Sequence, residues 1–280
     1  MIVHPGVPPA AHDLLTAWSF EPGVIIPLAL AAGLYLRGAR AVWRSSAPGR
    51  GVSTGEVGAF ALGWLTLVVA LVSPVHRWGE ALFSAHMVQH ELLLALAAPL
   101  LVLGRPLVPW VWSLPPTWRR RLGDLAGTKP IDAGWSGLTH PATAWALHAA
   151  AIWVWHLPAL FQATLRSEAA HALQHATFLG TGLLFWWTVL GRRRGRLGWP
   201  GAVIALFTTA VHTSLLGALL TFSSRVWYPV YGSATALWGL TPLEDQQLAG
   251  LIMWVPGGLA YLIAALALLA SWLGEPARPR

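Results

Sequence analysis

The sequence predicts an all-α polytopic membrane protein of seven transmembrane helices, with its N-terminus outside and its C-terminus in the cytoplasm. Three observations carry this. Of 280 residues, 55% are apolar and only 10% carry a formal charge, against roughly 25% charged in an average soluble domain. Apolar windows of spanning length recur along the chain, and the cations gather in alternate loops. The 18 tryptophans and a mean hydropathy of +0.56 agree with a surface that faces lipid.

A spanning helix needs about 20 mostly apolar residues, and seven windows meet that need: 23–43, 57–74, 81–103, 141–161, 169–190, 200–222 and 246–273. The first is interrupted by Arg37 and Arg40, so its inner end is expected to reach the headgroups. Residues 1–22 precede it as an extracytoplasmic tail. No basic residue stands before the first apolar run, unlike a cleaved secretory signal. Residues 107–118, rich in Pro and Trp, read as an interfacial stretch on the cytoplasmic side. Residues 23–273 form one transmembrane domain, and 274–280 a cytoplasmic tail.

The loops fix the orientation. The first, third and fifth loops and the C-terminal tail hold four, five, four and two Lys or Arg, while the opposite side holds only Arg77, Arg166 and Arg225. Positive charge stays on the cytoplasmic side of such proteins, and this alternation requires an odd number of spans. The net charge of +7 is therefore a signal of topology and anionic-lipid contact, not of nucleic-acid binding.

The same frame sets the depth of the histidines, of which there are 11. At about 1.5 Å per residue, His86 and His90 lie roughly 8 and 14 Å below the outer surface, and His171 and His175 roughly 5 and 10 Å. His156 leaves the fourth span at the outer boundary, and His76 ends the second on that side. His212 lies in the outer half of the sixth, and Asp245 with Gln246 begins the seventh. Seven histidines from five spans thus share one level. His148, near mid-membrane, and His140, at the inner edge of the fourth span, lie apart, while His4 and His12 sit in the outer tail, within reach of the site.

Two of the pairs share a pattern. His86-Met87-Val88-Gln89-His90 and His171-Ala172-Leu173-Gln174-His175 are both HxxQH, which puts two imidazoles one turn apart on one helix face. Two such faces can supply four nitrogens to a metal. A lone intramembrane histidine is more often a hydrogen-bonding group between helices, but ionisable side chains in lipid are costly and mark sites. The candidate metal ligands are therefore His86, His90, His156, His171 and His175, with His76, His212 and Asp245 at the same level. The two glutamines read as outer-shell donors or helix contacts.

Several chemistries are excluded. The absence of cysteine removes disulfides, iron–sulfur clusters and thiolate metal sites. The one lysine, Lys129, lies in a loop, so no retinal Schiff base forms within a span. Glu91 follows the second histidine of its pair instead of the first, which departs from the HExxH of zinc proteases, and it reads as a carboxylate buried against a protein partner. No Ser/His/Asp ordering surrounds Ser84 or Ser214. A b-type haem held by one histidine of each pair, as in a membrane oxidoreductase, stays open, and so does a non-metal scaffold with hydrogen-bonded histidines. Imidazole without thiolate suits copper, zinc or iron, and the affinity order favours copper. Met87 and Met253 read as packing residues whose thioethers are suited to Cu(I).

The stretches HMVQHELLLALAAPLLVLGRP (86–106), HPATAWALHAAAIWVWHLPALF (140–161), HALQHATFLGTGLLFWW (171–187) and EDQQLAGLIMWVPGG (244–258) together resemble the CtaG family of bacterial cytochrome c oxidase assembly factors. The resemblance covers the third to the seventh span. Thr188 follows Trp187 where that family has proline, a departure that bears on helix shape and leaves the histidines in place. What the resemblance implies is a metallochaperone of the bacterial cell membrane without turnover chemistry of its own. It would receive copper from an extracytoplasmic donor and deliver it to an oxidase subunit. The motif positions it carries over are His86, His90, His156, His171, His175 and Asp245.

Overall fold

The computed structural model describes residues 16–46, 49–191 and 197–274. His4, His12, the arginines at 192–194 and 196, and Arg278 and Arg280 lie outside the described residues. Helices account for most of the rest, and no strand occurs among the described residues.

α1, Pro22–Ser45, opens on a proline in its first turn, where a missing N–H costs nothing. It buries a narrow seam of Leu28, Tyr35, Ala39 and Val42. Tyr35 stacks on Phe60 at 3.6 Å and donates its hydroxyl to the Gly104 carbonyl at 2.9 Å. Trp64 and Trp110 give their indole N–H groups to the Leu28 and Ala31 carbonyls. α2, Thr54–Leu71, begins with a reciprocal cap between Ser53 and Glu56 and leads into the short α3, Pro74–Trp78, which carries His76.

α4, Phe83–Glu91, continues through a π-helical turn, Leu92–Ala97, into α5, Ala98–Leu103. The wide turn has a cause. Pro99 has no N–H to offer the carbonyl five residues before it, that of Leu94, and the Trp186 indole takes that carbonyl instead at 2.8 Å. α6, Leu107–Trp112, packs along α1, whereas α7, Pro116–Ala126, and α8, Lys129–Leu138, bury no residue. The stretch expected at the interface is thus one helix seated on the bundle and the start of an exposed one.

The window 141–161, expected to be one span, is two helices: α9, Pro141–Trp155, and α10, Pro158–Thr164, bent by 80°. Pro158 forces this, because the residue before a proline is pushed out of helical geometry; Leu157 is extended at ψ 129. His156 stands at the corner. α11, Glu168–Leu190, and α12, Gly198–Thr221, follow. After two 3-10 turns come α13, Pro242–Ile252, a second π-helical turn that contains Pro256, and α14, Gly258–Leu273.

Five of these stretches are long and apolar enough to cross a membrane: Pro22–Ser45, Thr54–Trp78, Phe83–Leu103, Gly198–Thr221 and Pro242–Leu273; the bent α9–α10 pair makes a sixth if taken as one. α11 has 23 residues, but His171, Gln174 and His175 dilute its apolar character. Ile204, Phe207, Val211 and Leu215 of α12 and Leu259, Ile263 and Leu266 of α14 point outward. Such rows of exposed large apolar side chains suit lipid and would be a liability in water.

A tight helix contact joins α12 and α13. A Cβ built on Gly250 would stand 2.5 Å from the Gly217 carbonyl oxygen, and one built on Gly217 would stand 2.7 Å from that of Gly250. The backbones of α12 and α13 touch there, with no room for a side chain. Gly250→Val is expected to cost about 1–3 kcal/mol through forced separation of the two helices, read as a lower Tm in detergent. An unchanged Tm would contradict this packing.

Candidate metal centre

The helix that carries the first histidine pair is fixed at its start by a distant carboxylate. α4 has no capping side chain of its own, and Asp245 from α13 supplies one. Its Oδ2 accepts the Phe83 N–H at 2.6 Å, and its Oδ1 accepts the Ser84 N–H at 3.1 Å and the Ser84 hydroxyl at 2.5 Å. This satisfies orphan donors of the first turn and suits the positive end of the helix dipole. The neighbouring side chains do related work. Gln246 accepts the Trp227 N–H and donates to the Arg225 carbonyl, and Gln247 donates to that of Ser223. The EDQQ segment therefore holds α4 and the loop after α12 in register. Asp245→Ala is expected to lower stability by about 1–2 kcal/mol, the cost of losing a helix cap; chemical denaturation in micelles would show no change if the cap were dispensable.

His86, on α4, and His171 and His175, on α11, are brought together. One ligand nitrogen from each lies within 4.8 Å of the other two. The His86 and His171 rings are 5.2 Å apart and those of His171 and His175 4.2 Å. His90, one turn below His86, has its ring 4.4 Å from that of His86 and 5.7 Å from that of His175. The two HxxQH faces thus meet.

His86 Nε2 lies 3.2 Å from the amide oxygen of Gln174. No hydrogen bond is made by His86 Nδ1, either nitrogen of His90, His171 Nε2 or His175 Nε2. Buried polar atoms are nearly always satisfied. Clustered imidazoles that keep buried nitrogens without partners are what a bound cation would complete, so the residues present fit a metal.

The other candidates divide. His76 stacks on His171 at 5.4 Å, but its Nδ1 accepts from the Gln89 amide at 2.9 Å and its Nε2 faces Glu21 at 3.5 Å. Both nitrogens are engaged, and His76 supports the His171 ring. Asp245 is occupied as a cap. His212 lies beside Trp145 and accepts from the Trp153 indole at 3.4 Å, apart from the imidazole group. His156 sits 6.0 Å from the His90 ring. His148 is hydrogen-bonded to Tyr261 and stacked on Phe185. Glu91 lies against Gly257 of the second π-helical turn.

A cavity of about 570 Å³ leads to the group. Its charged and imidazole lining is Glu21, Arg77, Glu80 and Glu168 with His76, His171 and His175, and its remainder is mostly apolar wall from α1, α2, the first π-helical turn, α5, α6 and α11. Arg77 pairs with Glu80 at 2.9 Å. Burial pushes the Glu80 carboxyl above its ordinary range, opposed by the Arg77 guanidinium. Sequence reasoning passes over these carboxylates and over Tyr228, whose hydroxyl binds the His156 carbonyl at 2.7 Å. A signal is present: Glu80 and Glu168 each precede a histidine-bearing helix on the side poor in arginine.

Comparison with known proteins gives the wider setting. The family model described as cytochrome c oxidase caa3 assembly factor (Caa3_CtaG) matches residues 33–275. Proteins of Mycobacterium bovis and Mycobacterium tuberculosis, both described as uncharacterized, are each 30% identical to this chain over 97% of its length and 42% of theirs. One of Mycobacterium leprae, likewise uncharacterized, is 29% identical with the same coverage. The chain therefore spans less than half the length of these curated relatives. No solved structure matches it.

Proposed function

The chain belongs to the family of cytochrome c oxidase caa3 assembly factors, and on that footing we propose that it holds copper as cargo and delivers it to the oxidase. The observation that carries the reading is the grouping of His86, His171 and His175, one ring nitrogen of each within 4.8 Å of the others, on residues that each keep a buried nitrogen without a partner. Imidazole sites without thiolate suit copper, and neutral ligands suit a site that must also release its ion.

The membrane arrangement belongs to the same reading. Seven spans with the N-terminus outside account for the arginine distribution, with α11 and the bent α9–α10 pair as the two least regular spans. The centre then lies in the outer half of the bilayer. Copper from an extracytoplasmic donor enters past Glu21, Glu80 and Glu168, is held by the imidazoles, and passes sideways to an oxidase subunit at similar depth.

In cells that make this chain together with its oxidase, replacing His86, His171 and His175 by Ala is expected to lower the copper content of the oxidase while the amount of this chain stays constant. Normal oxidase copper in that background would overturn the delivery role and favour a scaffold whose histidines serve only packing.

A further inference from the structure

His156 meets a sulfur. Its Nδ1 lies 2.7 Å from the Ile152 carbonyl oxygen, which can only accept, so Nδ1 carries the proton and the Nε2 lone pair points away. A backbone carbonyl on Nδ1 with Nε2 left free is the arrangement that orients a metal-ligating histidine. That Nε2 stands 3.4 Å from the thioether sulfur of Met87. Neither atom of the neutral pair has a proton to give, so two lone pairs face each other in a site where Met87 is 0% and His156 3% exposed. His90, whose two nitrogens have no partner, has its ring 6.0 Å from that of His156.

At 3.4 Å the two atoms are in contact, so an ion does not fit on the line between them; bonded to both at about 2.0 Å to nitrogen and about 2.3 Å to sulfur, it would stand to one side, with an angle of about 100° between the two bonds. Thioether is a soft ligand that selects Cu(I) over zinc. We infer that Met87 Sδ and His156 Nε2, with His90 beside them, form a soft-donor Cu(I) subsite next to the three-imidazole group. It rests on the reading of that group as a copper centre. His90 lies between the two, 4.4 Å from the His86 ring on one side, and gives copper a stepwise path from the imidazole group to the thioether.

The chain has three methionines, Met1, Met87 and Met253, which makes selenium a selective label. Full-length selenomethionine-substituted protein in micelles, loaded with Cu(I) without oxygen, is expected to show a selenium–copper scattering path at the selenium edge. The path is expected to vanish in Met87→Leu, a near volume-conserving change, while copper–nitrogen scattering persists. Copper bound without a selenium path, or with one that survives Met87→Leu, would overturn the subsite and leave the imidazole centre standing. A wild-type chain that takes up no Cu(I) would overturn both. The wild-type measurement needs no substitution, so it decides the matter even where the variant misfolds.

Discussion

The double substitution His171→Ala/His175→Ala is expected to weaken copper binding by more than about a hundredfold, since loss of an outer-shell partner alone costs about ten- to a hundredfold. These side chains supply two of the three nitrogens that converge within 4.8 Å, and His76, the nearest replacement, has both nitrogens engaged by Gln89 and Glu21. The stability cost should be small by comparison, because both imidazoles border the cavity and leave the packing of Phe178, Phe185 and Val189 on α11 untouched. Competition with a Cu(I) chelator, alongside circular dichroism of the same sample, separates the two effects. His86→Ala should behave similarly, whereas His212→Ala should bind copper as the wild type does.

The second large effect concerns entry. Glu21, Glu80 and Glu168 line the cavity together with the Arg77 guanidinium, so carboxylates outnumber cations there, and a mouth of net negative charge raises cation on-rates by about tenfold or more at low salt. Glu21→Gln/Glu80→Gln/Glu168→Gln is expected to slow copper uptake by about tenfold at low ionic strength, with the difference shrinking as salt screens the mouth. The final occupancy should not change. The Glu80 carboxyl is raised above the ordinary value, so ionising it in the fold costs stability above the ordinary carboxylate pKa, and the neutral Gln should not destabilise the protein at neutral pH. In acid, Glu80 takes its proton earlier than an ordinary carboxylate does, so uptake should begin to slow at a higher pH in the wild type than in Glu80→Gln. Stopped-flow loading across pH and salt reads both. Equal rates at low salt would remove the carboxylates from the entry path.

The parts of this protein that the sequence makes legible are those encoded by spacing along one helix. The two HxxQH pairs meet because each places two imidazoles on one face, and that periodicity survives in any bundle that juxtaposes the faces. The glutamines are legible for the same reason: Gln174 orients His86 and Gln89 orients His76. Contacts made by the fold are not legible. Asp245 shares the level of the histidines, yet its task is to cap a helix that begins 162 positions earlier in the chain, at Phe83. Met87 reads as packing from its helix position, and only the fold brings His156, at the end of α9, to within 3.4 Å of it. The fifth apolar window, now α11, loses hydropathy to His171, Gln174 and His175, the polar residues of its HxxQH motif.

Whether this chain carries copper is decided by metal analysis of the full chain, purified from membranes in mild detergent without added metal. Copper in near-stoichiometric amount is expected, with no haem absorption near about 400–430 nm, and with copper reduced to background in His171→Ala/His175→Ala. A copper-free wild type that also fails to load, or equal copper in the wild type and the double variant, would contradict the copper-carrying role.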